Sequence, residues 1–172
     1  MKNTAINSLG YTGIVTLSQY IQNNKIPITK AYNKGRSSLF NFLSDCLKGD
    51  FELAKLSLPS NIMLLNAEIN SETGEIDQFT AASGVIALST IATPEKALDE
   101  SSGRVRYSFI VTRDQLETES FNAIGLYAKG IKPEYCQYNM AYCILDESVN
   151  SANLSVSSAL VVDWDLIITN NS

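Results

Sequence analysis

Val105, Tyr107, Phe109 and Val111 alternate with Arg104, Arg106 and Ser108. A period of two sends the apolar set to one face of an extended chain and the polar set to the other, so this stretch reads as a half-buried strand. Segments of the same kind fill most of the sequence. Gly13–Ile21 is rich in β-branched residues, Gln22–Lys25 reads as a turn, and Ile26–Tyr32 returns as the second arm of a hairpin. Pro27 lies near the start of that arm, where proline is tolerated on an edge strand. Ile62–Ile69 precedes a polar hairpin tip at Asn70–Glu75, and Gly84–Ala92 reads as a strand inside a sheet. Ala123–Ala128, Tyr138–Leu145 and Ala159–Thr169 complete the set. In the last, Val162, Trp164, Leu166 and Ile168 share one face, and Asp163 and Asp165 interrupt the other.

The period changes once. Leu39, Phe42, Leu43, Cys46 and Leu47 recur at helical spacing, and Phe40 widens the stripe. The pattern predicts an amphipathic helix over Ser37–Lys48, with Ser37 or Ser38 accepting from the first free N–H groups and Gly49 as its stop. A further helical turn is expected within Phe51–Leu58, ended by Pro59, and another at Pro94–Leu98. One helix, seven to eight strands and no βαβ rhythm imply a mainly β fold. The expected form is a single antiparallel β-sandwich domain over residues 1–172, with the inserted α-helix in an N-terminal part (1–60).

Charge narrows the function classes. The 172 residues hold 13 Lys and Arg against 18 Asp and Glu, a formal charge of -5, which disfavours nucleic-acid binding as the main task. The distribution is uneven: Met1–Ser60 holds seven bases and three acids, and the remainder six bases and fifteen acids. Such opposite-sign ends favour head-to-tail contact between copies, or else merely coat solvated faces. No apolar run reaches the roughly 18 residues a membrane-spanning helix needs, and the start lacks the apolar core of a secretory signal. The expectation is synthesis in a reducing cytoplasm and no membrane partner.

Catalytic constellations are scarce. Histidine is absent, which removes the commonest general base, any Ser/His/Asp or Cys/His arrangement and the imidazole metal ligand. No Ser is paired with a Lys at a strained turn. The nine glycines form neither GxGxxG nor GxxxxGK[ST]. Cys46, Cys136 and Cys143 are odd in number and show no CxxC spacing, so they read as buried or free thiols. Asp163 and Asp165 share a strand face and could ligate a hard cation or work as an acid/base pair, but read first as the wet face of an edge strand. Arg104 and Arg106 read as a solvated face, a cross-strand salt-bridge pair or an interface anchor. Tyr135, Tyr138 and Tyr142 with Phe121 suit either a carbohydrate platform or core packing. No catalytic residue, cofactor site or metal site is assigned.

Two groups of residues resemble small virion proteins of tailed bacteriophages. The first runs through Tyr11–Leu17, Asn33-Lys34-Gly35, Leu39–Asp50, Pro59 and Ile62–Leu64. It is similar to their layout of a GxV hairpin, an N-x-G turn, an LFxFLxxCLxGD helix and a P-x-x-I-x-L strand. The second is Val105–Phe109, Asn122–Ala128 and Val162–Ile168, similar to tail and fibre-attachment domains, with Asn122 and Ala123 where an acidic residue often stands. The resemblance implies a non-enzymatic structural subunit of the virion tail: a ring, hub or fibre-docking protein, as in short-tailed phages of the crAss-like group. Such a subunit is assembled in the bacterial host cytoplasm, with copies of itself in six- or twelve-fold rings and with other tail, collar or fibre proteins. A head fibre or capsid decoration protein is the alternative, and a carbohydrate-binding module for host surface glycans the alternative from another class. The expected contacts are Met1–Leu9, Asn70–Phe79, Thr93–Gly103 and Ser148–Asn153.

Overall fold

A computed structural model of the chain describes residues 8–50, 52, 58–92, 102–154 and 159–171. Ten strands and one helix follow one another: β1 (Ser8–Ile21), β2 (Asn24–Gly35), α1 (Ser37–Lys48), β3 (Pro59–Ile69), β4 (Ile76–Ala81), β5 (Ile86–Ala87), β6 (Thr90–Ala92), β7 (Ser102–Val111), β8 (Ser120–Ala128), β9 (Ala141–Asn150) and β10 (Ala159–Asn171). The fold is mainly β with one helix, as the pattern predicts, but it is not the expected two-sheet sandwich of seven or eight strands. All ten strands belong to one antiparallel sheet in the order β4-β3-β8-β9-β2-β1-β10-β7-β6, with β5 also on β3.

β2 is the reason the two halves stay one sheet. Asn24–Tyr32 pairs with β1, and the next three residues, Asn33–Gly35, pair with Ala141–Cys143 of β9. One strand thus hands the ladder from one half to the other, and the sheet curls around a common interior. That interior takes Val15, Leu17, Phe109, Val162 and Trp164 from one half and Ile62, Leu64, Ile124, Leu126 and Cys143 from the other. Opposite β2, the chain at Ile86–Ala92 pairs first with β3 and then with β7, so it touches both flanks.

Helix α1 has the predicted bounds, and Gly49 closes it in the left-handed region at φ 77°, its N–H and that of Asp50 donating to Cys46 and Asp45 carbonyls. Its start differs: Arg36 is the N-cap residue and no side chain caps the helix. The Arg36 N–H donates instead to the Met140 carbonyl at 2.7 Å, tying the helix start to the segment before β9. Leu39 and Phe42 enter the common core.

Ile62, Met63, Leu64 and Leu65 are all fully buried because both faces of β3 are covered. Ile62 and Leu64 face the interior, whereas Met63 and Leu65 join a second cluster on the outside with Phe79, Ala123, Tyr127 and Cys136. The expected strand at Gly84–Ala92 is instead two short pieces, β5 and β6, and Ile91 is half exposed. Its apolar run reflects the join between two flanks rather than a sheet interior. The turn of the first hairpin is two residues, Gln22 and Asn23, both at positive φ (48° and 67°). That pair matches the right-handed twist of the flanking strands. The helical turns expected within Phe51–Leu58 and at Pro94–Leu98 fall essentially outside the described residues.

Candidate functional site

The two aspartates of β10 are not on a wet edge. β10 lies between β1 and β7, and Asp163 and Asp165 are only 3% and 1% exposed. Register explains their partners. Asp165 stands opposite Arg106, and Asp163 opposite Ser108. Arg106 donates from Nε to Asp165 Oδ1 at 2.8 Å and from its terminal nitrogen to Oδ2 at 2.9 Å, and Arg104 donates to the same Oδ2. Ser108 Oγ donates to Asp163 Oδ1 at 2.8 Å, and Lys25 of β2 closes over Oδ2. Burial alone raises the Asp165 carboxyl, and the hydrogen bonds from Arg106 and Arg104 outweigh it, so the group lies below the usual carboxylate range. Arg104 and Arg106 therefore form a cross-strand ion-pair network rather than a solvated face. Every oxygen of the two carboxylates accepts at least one hydrogen bond from a cation or hydroxyl, and the pair acts as a clamp across β2, β10 and β7. Among the described residues, no group of three His, Cys, Asp or Glu is placed to hold a metal ion.

The aromatic residues singled out in the sequence do not form one platform. Phe121 is 1% exposed and faces the interior, and Trp164 is fully buried. Tyr142 packs edge-on to Phe79, and the Arg36 guanidinium lies over both rings, 5.2 and 5.7 Å from their centroids. Tyr135 and Tyr138 stand together at the surface, centroids 6.2 Å apart. All three cysteines are free thiols, Cys136 and Cys143 buried.

The surface feature that sequence reasoning missed is a seam in the sheet. β2 and β9 separate beyond Asn33↔Cys143. Among the described residues, no strand lies alongside Asn24–Tyr32 of β2 or Ile144–Asn150 of β9 on the sides that face each other. On the outer side the gap is a groove of about 420 Å³ between Lys30, Tyr32 and Lys34 of β2 and Tyr142, Ile144 and Asp146 of β9. Beside it lies a second hollow of about 520 Å³, lined by Gln19, Ile28 and Thr29 on one wall and Asp146, Ser148 and Val149 on the other. Tyr32 is 71% exposed, and Ile26 and Ile28 are also exposed. Pro27 was the one local sign of this edge, because a residue with no N–H fits a strand whose far side is unpaired.

The end of the sheet at β4 is treated differently. The Gln137 side chain accepts from the Phe79 N–H at 3.2 Å and donates to the Phe79 carbonyl, covering that edge at its centre. Of the expected contact segments, Asn70–Glu75 is the exposed tip between β3 and β4, and Ser148–Asn150 is the end of β9 beside the seam. Met1–Asn7 and residues 93–101 lie outside the described residues. No protein-family model, curated protein or solved structure matches the chain.

Proposed function

We propose that the chain is a non-enzymatic structural subunit of a tailed-bacteriophage virion, placed in the tail as a ring, hub or fibre-docking component. The observation that carries this reading is the seam: two facing strand edges that no strand covers among the described residues, in a shell with a packed apolar interior. An uncovered strand edge invites pairing with another chain unless it is blocked. Here Gln137 blocks the β4 edge at Phe79, and among the described residues no strand covers the facing edges of β2 and β9. The resemblance to small virion proteins supports the same reading. Its N-x-G motif, Asn33-Lys34-Gly35, is not a turn but the end of β2, the stretch that hands the ladder from β1 to β9, and its helix runs to the Gly49 cap. Antibody labelling of intact phage particles, imaged by cryo-electron microscopy, tests the proposal. Label at the tail in several copies is the expected result, and label on the head would move the chain to the decoration role. Purified particles free of the chain would overturn the virion reading.

A further inference from the structure

The β1–β2 and β3–β4 hairpins carry charges of opposite sign and of only one sign each. Ser8–Gly35 holds Lys25, Lys30 and Lys34 and no acid, whereas Pro59–Ala81 holds Glu68, Glu72, Glu75 and Asp77 and no base. Lys25 is committed to Asp163. Lys30 and Lys34 remain exposed on the outer wall of the seam, with no ion pair to a described residue.

The acidic tip is preformed. Asn70 Oδ1 accepts from the N–H groups of Glu72 and Thr73 at 2.9 and 3.1 Å, and the Asn70 N–H donates to the Glu75 carbonyl at 2.8 Å. A turn fixed in this way loses little conformational freedom when it docks. Ile69, at the base of the tip, is half exposed, and so is apolar surface on the seam wall at Ile28 and Tyr32. Each patch therefore pairs an apolar residue with charges that complement the other's.

Within one copy they cannot meet along the sheet, because β4 and β2 are four strand spacings apart, roughly 19 Å. We infer that the acidic β3–β4 tip of one copy docks on the Lys30–Lys34 wall of the seam in the next copy. Glu72 and Glu75 face the lysines, and Ile69 lies against Tyr32. The two patches differ, so the contact is head-to-tail, and it closes into a ring where the rotation per copy divides a full turn. The inference rests on the assembly reading above and names the partner as a second copy of this chain.

Sedimentation velocity on the full chain at low ionic strength tests it, with the variants Lys30→Glu/Lys34→Glu and Glu72→Lys/Glu75→Lys. All four sites are exposed, and circular dichroism checks that both variants fold. Wild type should assemble and dissociate as salt rises. Each variant alone should lose about tenfold or more in association constant, because like charges are then juxtaposed. An equimolar mixture should regain assembly, since each variant supplies the complement the other lacks. Assembly of wild type that neither reversal weakens, or a mixture that stays monomeric, overturns the inference. So does a wild type that remains monomeric at low salt, and particle labelling then shows independently whether the virion reading stands.

Discussion

Replacing Asp165 with Asn keeps the shape of the side chain and removes its charge. In the native protein that carboxylate, 1% exposed, receives two hydrogen bonds from Arg106 and one from Arg104. Deleting one partner of a fully buried pair costs about 3–5 kcal/mol, chiefly because the remaining charge is stranded. Here the guanidiniums keep 35% and 24% of their surface in water, so part of their hydration returns, and the expected loss is about 2–3 kcal/mol. For a chain of this size that corresponds to roughly 5–10 °C in Tm. Urea titration followed by tryptophan fluorescence measures it directly, since Trp164 is the sole indole and sits on the same strand.

The pH dependence has a definite sign. The folded Asp165 carboxyl lies below its unfolded value, so its contribution is present above the unfolded pKa, about 4, and is lost as pH falls through the folded one. The gap between wild type and Asp165→Asn should therefore narrow below about pH 4. A loss under about 0.5 kcal/mol at neutral pH, the level of a surface pair, or a gap that does not change with pH, would refute the account of the cluster as a buried clamp.

Three further outcomes are expected. A Cβ on Gly13 would fall 2.1 Å from Asn33 Cγ, so Gly13→Ala should cost about 1–3 kcal/mol; in an Asn33→Ala background most of that cost should vanish in a double-mutant cycle. Burial pushes the Cys143 thiol up to about 12 and raises Cys136, so at pH 8 a thiol reagent should label Cys46 first and the other two only as the chain unfolds. Three equally fast thiols would contradict the packing. Phe42, 6% exposed beneath the helix, should not tolerate Asp: removing the ring alone costs about 3–5 kcal/mol, and the buried charge adds to it, so circular dichroism should show an unfolded chain.

What the sequence reveals is mostly what is local. The helix bounds follow from apolar spacing and the Gly49 stop, and β7 from strict alternation at Arg104–Val111. The closure of the sheet is not local. That β2 deserts β1 for β9 after Tyr32 depends on a partner more than 100 residues away, and the pattern of β2 itself looks like an ordinary hairpin arm. Asp163 and Asp165 mislead for the same reason. A charged residue every second position is the mark of a solvated face, and only the register with Arg106 and Ser108 shows that this face is covered. The run at Gly84–Ala92 suggests one interior strand because its apolar density cannot report two different neighbours.

The hand-over at Asn33–Gly35 has a mechanical consequence. A closed barrel resists any change of girth, because widening it breaks a whole ladder of hydrogen bonds at once. Among the described residues this shell is slit along most of one side and joined there by the short ladder at Asn33–Gly35 and the Arg36–Met140 bond, like a spring washer. Opening the slit would strain only the short β2–β9 ladder and spare the longer registers of β10 with β1 and β7.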